Sequence, residues 1–293
     1  MNNGQSDILV KKERSYSVLK RVNALPSMPV IALEVSEIIN DPRSTAADLG
    51  RAISKDQGLT AKILTVANSP LYGIPRRVST IDFAIIILGF DQIKNITIAL
   101  TMMDSFKNLN KKNFDPKKYW GHSIFTAVAA KRISDDLGYH LSGEAFTAGL
   151  LHDLGIAVIN KYFNAQYLEI HELACNLGKS LQEAELSTLG LTHEEIGKDL
   201  AEKWNLPPSL TGAIMNHHFP SKEENFPELS SIVHIADYIA HKTEAGSFSW
   251  DTGFQLDPKT IDILKLGNET YLDNFINTYA DLFEQQIDFL KRD

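Results

Sequence analysis

Among the 293 residues, the side chains best placed for chemistry are histidines and aspartates set in apolar surroundings. His152 and Asp153 follow Leu150-Leu151 and precede Leu154-Gly155, a setting that belongs inside a buried helix. An unpaired carboxylate buried there costs on the order of several kcal/mol, so Asp153 needs a neutralising partner. A divalent metal supplies one, with imidazoles and carboxylates as its ligands, and His122 and Asp237 lie on apolar helices of their own. His193, His217 and His218 fall at predicted helix ends, where side chains can converge on the mouth of a bundle and hold a second ion, with Asp153 bridging the two.

Each residue also has a plainer reading. A lone His122 is more commonly a satisfied core histidine than a ligand. His217-His218 could simply close a helix, where polar or positive groups suit the exposed carbonyls. His140, His171, His234 and His241 are read as structural. His234 lies three residues before Asp237 and can share its face.

The elements that must carry these residues read as helices. Apolar residues recur at three- and four-residue spacings almost throughout, as in Ile31, Val35 and Ile38, whereas strand-like alternation is scarce. Pro29 opens a helix that Asn40-Asp41-Pro42 stops. Ser44 or Thr45 caps a second and Asp56 a third, which runs to Ala67. Two buried helices separated by Gly89 follow, so residues 15–107 form a bundle of about five or six short helices. The lysine-rich stretch Lys107 to Lys118 is the expected boundary and reads as a solvated linker. Beyond it, Asp115-Pro116 caps a helix carrying His122, Phe125, Ala129 and Ile133 on one face. A single helix is expected over about Gly143 to Phe163, with His152-Asp153 in its middle. Thr192 to Glu195 reads as a capping box that places His193 in a first helical turn. Pro207-Pro208 starts the next helix, Ser231 to His241 forms another, and Lys259 to Leu290 is an amphipathic, aromatic-rich tail with Phe275, Tyr279 and Phe283.

Composition narrows the class. Cys175 is the single cysteine, so no intramolecular disulfide can form, and a cytoplasmic location is expected. Residues 1–14 are polar and are expected to be disordered, and no apolar run is long enough to span a membrane. A formal net charge of -8 argues against nucleic acid as a partner.

The order His122, His152-Asp153, Asp237, with the block Gly149-Leu-Leu-His-Asp-Leu-Gly155, resembles the HD superfamily of metal-dependent phosphohydrolases. Leu25-Pro-Ser-Met-Pro29, Asp56-Gln-Gly-Leu-Thr-Ala61, Ala67-Asn-Ser-Pro-Leu-Tyr72 and Ala84 to Gly89 narrow the likeness to the HDOD family of bacterial signalling proteins, over about residues 18–241. The resemblance implies an all-α chain in which an N-terminal helical bundle (15–107) packs on an HD-like bundle (115–293) as one unit. It also implies a signal-transduction output or regulatory role through protein or ligand binding, without an established catalytic activity. The implied partners are signalling proteins such as response regulators or cyclic-dinucleotide enzymes, or a second copy of the chain, and the implied cofactor is one or two divalent ions, iron or manganese. The full ligand set is His122, His152, Asp153, Asp237, His193, His217 and His218.

The order His193, His217-His218, Asp237 is also similar to that of the HD-GYP phosphodiesterases, which keeps hydrolysis of a nucleotide or cyclic dinucleotide as the alternative, with Asp153 as its central residue. Three departures weaken that alternative. Ile156 stands where those enzymes carry a lysine suited to phosphate, and Phe219-Pro-Ser-Lys222 replaces the Gly-Tyr-Pro element. Lys118 lies one helical turn before His122, where those enzymes can carry an acidic ligand.

Overall fold

The computed structural model describes residues 3–21, 29–41, 43–104, 106, 109–140, 142–243, 254–278, 282 and 284–286. The expectations for the Leu25 to Met28 part of the first motif and for Tyr279 and Phe283 lie outside them. All regular structure among the described residues is helical, as the three- and four-residue apolar spacing predicts. The first six helices are α1 (Asn3–Arg21), α2 (Val30–Asn40), α3 (Ala46–Ser54), α4 (Gln57–Ala67), α5 (Ile81–Leu88) and α6 (Phe90–Asp104). They are followed by α7 (Pro116–Asp136), α8 (Ser142–Leu151), α9 (Leu154–Tyr162), α10 (Asn164–Cys175) and α11 (Leu181–Leu189). The last are α12 (His193–Lys203), α13 (Pro208–Asn216), α14 (Pro227–Lys242), α15 (Lys259–Ile263) and α16 (Glu269–Thr278).

Local capping explains most of these starts. The side chains of Thr45, Asp56, Thr80, Asp115, Ser180 and Thr192 each accept a backbone N–H of the first turn, and Thr192 forms a reciprocal box with Glu195. Gly89, at φ 88°, separates α5 from α6 in a conformation that other residues avoid.

Two expectations are corrected. The polar N-terminus is helical from Asn3 rather than disordered through residue 14. Its order comes from distant partners: Lys11 Nζ donates to Ser187 O at 2.7 Å, Ser15 Oγ to Leu189 O at 2.8 Å, and Lys12 Nζ meets Glu195 Oε1 at 2.6 Å. His152-Asp153, in turn, lies at a break between α8 and α9 rather than mid-helix. In a continuous helix the Gly149 carbonyl would accept from the Asp153 N–H. Here it accepts from His152 Nδ1 at 2.7 Å, and the chain turns at Asp153 (φ -93°, ψ 14°) before α9 begins.

The apolar faces close into two core clusters. One contains Val35, Ile63 and Ile96 from the first helices together with Phe125, Phe146 and Ile232 from later ones. The other gathers Met102, Tyr119, Leu151, Leu154, Leu200 and Trp204. Leu150 belongs to the first and Leu151 to the second, so the His152-Asp153 turn leaves the chain where the two cores adjoin.

Glycines set the approach of the helices that bracket this turn. A Cβ on Gly149 would lie 2.9 Å from Ala127 Cα on α7, and one on Gly155 would fall on the His193 carbonyl at the start of α12. Both collisions are with backbone, which cannot swing aside. Gly155→Ala is therefore expected to lower stability by at least about 2 kcal/mol, measured by urea denaturation, while Gly121→Ala, which meets nothing within 4 Å, is expected to leave the transition unchanged or raised.

Candidate metal centre

Four helices and one turn bring seven predicted residues together. His122 comes from the middle of α7, His152 and Asp153 from the α8–α9 turn, His193 from the first residue of α12, His217 and His218 from the end of α13, and Asp237 from α14. All are buried except His218, which is half-buried.

Asp153 divides the cluster. Its Oδ2 lies 3.3 Å from His152 Nε2 and 3.7 Å from His122 Nε2. Its Oδ1 lies 3.6 Å from His193 Nε2 and 3.6 Å from His217 Nε2. Asp237 Oδ1 joins the first side, 3.1 Å from His122 Nε2 and 3.6 Å from His152 Nε2. His218 joins the second, with its Nε2 3.2 Å from His193 Nε2. The potential ligand atoms of Asp153, His193, His217 and His218 lie within 4.8 Å of one another, as do those of His122, His152 and Asp153.

Hydrogen bonds on the far side of His152, His193 and His217 set which nitrogen of each faces the centre. His152 Nδ1 donates to Gly149 O and His217 Nδ1 to Ile214 O, at 2.7 and 2.8 Å, so in the neutral rings Nε2 carries the lone pair. His193 Nδ1 lies 3.0 and 2.9 Å from the two oxygens of Glu185, whose Oε2 also accepts the His193 backbone N–H at 3.0 Å. Glu185 is buried, and Glu194 Oε2 lies 3.5 Å from the same nitrogen.

The electrostatics are those of a closed charge cluster. Burial opposes charge on His152, but Asp153 and Asp237 outweigh it and hold its pKa well above the ordinary imidazole value. Against their own burial, Asp153 is held well below the carboxylate range chiefly by His152, and Asp237 by His152 and His241. His193 is raised well above its ordinary value, with burial overcome by Glu185 and Glu194. Glu194 is brought down to about 2, against burial, by His193, His218 and His217, whereas burial leaves Glu185 raised.

The residue pattern missed Glu185, eight positions before His193 on another helix; its one signal was an acidic residue within the apolar spacing of α11. His241, read as structural, has its Nε2 3.4 Å from Asp237 Oδ1. Its signal was the four-residue spacing from Asp237. His234 is not part of the centre: its Nδ1 donates to His217 O at 2.6 Å and its Nε2 accepts the Asp257 N–H at 2.8 Å, so both nitrogens hold backbone. Its pKa is lowered, mainly by burial. His140 is exposed, and His171 lies on α10 beside Cys175 at 3.7 Å.

A family model for the HDOD domain matches residues 25–220, well over half of the chain, and the chain belongs to the HDOD family. An HDOD domain protein of unknown function from Geobacter sulfurreducens has the same fold, with TM-score 0.80 at 24% identity over 97% of this chain and 99% of that one. A candidate phosphohydrolase from Shewanella amazonensis SB2B is similar at TM-score 0.71 and 24% identity, covering 93% and 97% of the two chains. An uncharacterised protein of Treponema pallidum (strain Nichols) is 24% identical over 275 residues, which is 92% of this chain and 52% of that protein. The chain thus spans about half the length of that curated relative. Among the described residues, no helix is long and apolar enough to cross a membrane.

Removing Glu185 would leave a buried imidazole without its carboxylate. Glu185→Ala is expected to cost about 3 kcal/mol of stability by urea denaturation, and Glu185→Gln clearly less, because the amide oxygen can still accept from His193 Nδ1.

Proposed function

We propose that this chain is a signalling output module of the HDOD type, built around a buried centre for one or two divalent cations and acting by binding a protein or ligand. The observation that carries this reading is the spacing of the inward-facing atoms. Ligands around an ion at about 2.1 Å lie about 3.0 to 3.4 Å apart for right-angled or tetrahedral geometry, and the donor pairs at 3.1 to 3.6 Å match that spacing. Two further observations fit a cation. His217 Nε2 and Asp237 Oδ1 are buried atoms without a hydrogen-bond partner among the described residues. The Nε2 atoms of His122 and His152 also face one another at 3.2 Å, as do those of His193 and His218, and two imidazole lone pairs do so only with a proton or a cation between them.

In this reading His122, His152, Asp153 and Asp237 hold one ion, and Asp153, His193, His217 and His218 the other. A mixed imidazole and carboxylate set suits iron, manganese, zinc or nickel, and the family resemblance favours iron or manganese. Such ions act as Lewis acids and bring bound water toward ionisation at neutral pH. The chain itself supplies fixed rings, held by the Gly149 and Ile214 carbonyls and by Glu185, and a site largely closed to solvent.

The mouth favours binding over turnover. A cavity of about 250 Å³ beside His218 is lined, among the described residues, by Ser180, Leu181, Gln182, Phe219, Phe254 and Gln255, none of them a cation to meet a transferring phosphoryl group, and the neighbouring Lys222 Nζ lies over the Phe219 ring, 4.0 Å from its centroid. Ile156 is buried and apolar where a cation would serve that purpose. Signalling proteins such as response regulators or cyclic-dinucleotide enzymes, or a second copy of the chain, are the partners this role calls for. The second reading, a metal-dependent phosphohydrolase acting on a nucleotide or cyclic dinucleotide, is favoured by Asp153, which turns one oxygen to each donor set in the manner of two-metal sites.

Elemental analysis of tag-free protein is expected to find near-stoichiometric iron or manganese, falling at least roughly tenfold in Asp153→Ala shown to be folded by circular dichroism. The loaded protein is expected to leave phosphomonoesters, phosphodiesters and cyclic dinucleotides unhydrolysed. Turnover that Asp153→Ala abolishes would establish the second reading instead, and no metal after reconstitution with either ion would overturn both.

A further inference from the structure

We propose that His241 is a fifth protein ligand of the first cation position, joining His122, His152, Asp153 and Asp237 and biasing that position toward iron over manganese. This inference rests on the reading of the centre as a cation site and adds a residue outside the histidine and aspartate pattern of the sequence.

Asp237 and His241 are four residues apart on α14, a spacing that sets two side chains side by side on one helical face and lets them reach the same ion. The geometry bears that out. His122, His152 and His241 turn their Nε2 atoms to a single oxygen, Asp237 Oδ1, at 3.1, 3.6 and 3.4 Å. The potential ligand atoms of His122, Asp237 and His241 all lie within 4.8 Å of one another, close to the roughly 4.2 Å between opposite ligands of one ion. The His241 side chain is 13% exposed, so it lies at the outer rim of the cluster.

Its ring is held in that direction from behind. Phe254 stacks on His241 with ring centroids 5.0 Å apart and planes at 19°. The segment carrying Phe254 is itself tied down, since Asp257 donates its N–H to His234 Nε2 and its Oδ2 accepts the Ser221 N–H at 3.1 Å. His234, which shares α14, thus spends both nitrogens on backbone, whereas His241 presents Nε2 to Asp237. A ring fixed by stacking and pointed at a buried carboxylate has the preorganisation that a ligand requires.

The added imidazole changes the chemistry of the position. Three nitrogens and two carboxylates leave one place of an octahedral shell for an outside ligand. Imidazole-rich sets favour iron over manganese, which prefers oxygen donors. A position so nearly filled by protein also suits sensing or structural use better than turnover.

The rival role for His241 is a simple charge partner of Asp237, which would affect folding without touching an ion. Wild type, His241→Ala and His241→Gln, each checked by circular dichroism, are compared by equilibrium dialysis against iron(II) under anaerobic conditions and against manganese(II). Pulsed electron paramagnetic resonance of the manganese(II) forms reports the coupled imidazole nitrogens. The expected result is one fewer coupled nitrogen in both variants, with iron(II) binding at least roughly tenfold weaker and manganese(II) less affected. Unchanged nitrogen coupling and affinity, with wild type binding, would overturn the role of His241 and leave the cation reading standing. Wild type that binds neither ion overturns both. If neither variant folds, 15N-histidine NMR of zinc-loaded wild type decides, by whether the His241 Nε2 resonance moves to a metal-bound shift or stays where it is.

Discussion

Two aspartates sit in the interior of a helical protein, and the rest of the structure answers to them. Asp153 is 5% exposed and Asp237 1%, so both have lost most of the water that would otherwise stabilise their charge. Such groups are tolerated only when opposite charge is close and well oriented. Six histidines provide it, and because each can hold a proton or coordinate a cation, the same cluster accommodates either form of compensation. Helices distant in sequence must therefore end or cross at one point, which is why α7, α12, α13 and α14 all converge on the α8–α9 turn.

That convergence depends on side chains that are not there. Gly149 and Gly155 flank His152-Asp153, and each meets neighbouring backbone more closely than a Cβ would permit. The conspicuous glycines of the central block are thus packing residues for the residues between them. A further layer fixes ring directions: the Gly149 and Ile214 carbonyls and Glu185 each take an Nδ1 proton, and His234 spans from the His217 carbonyl to the Asp257 amide. Most of these hydrogen bonds end on backbone, which cannot rotate away.

The surroundings of the centre bear on its use. A hydrolytic site needs positive groups that meet a phosphoryl oxygen and an open route for water. Among the described residues, the cavity beside His218 is lined by amides, a hydroxyl and two phenylalanine rings, Lys222 lies over one of those rings, and Phe254 stacks over the His241 side of the cluster. The fold is shared with proteins described both as HDOD domains of unknown function and as candidate phosphohydrolases, so the fold does not choose between binding and catalysis.

Much of this was legible in the residues alone. The all-α class followed from apolar periodicity, the starts of α4, α7 and α12 from Asp56, Asp115-Pro116 and the Thr192 to Glu195 box, His122, His152, Asp153 and Asp237 from ionisable side chains in apolar segments, and His193, His217 and His218 from their places at helix ends. These are short-range signals, set by neighbours three or four positions away. The order of α1 depends on carbonyls near residue 188 and was invisible from a polar N-terminus. The break at His152-Asp153 arises from a ring that takes a carbonyl from the helix, a competition that periodicity does not register. Glu185 and Phe254 act through contacts between separate elements. His241 had a visible spacing from Asp237, yet the same spacing fits a surface histidine equally well. Burial and capping are written locally, so the residue pattern could name the side chains that had to be neutralised; which ring nitrogen faces which oxygen depends on the crossing of distant helices and emerges only with the fold.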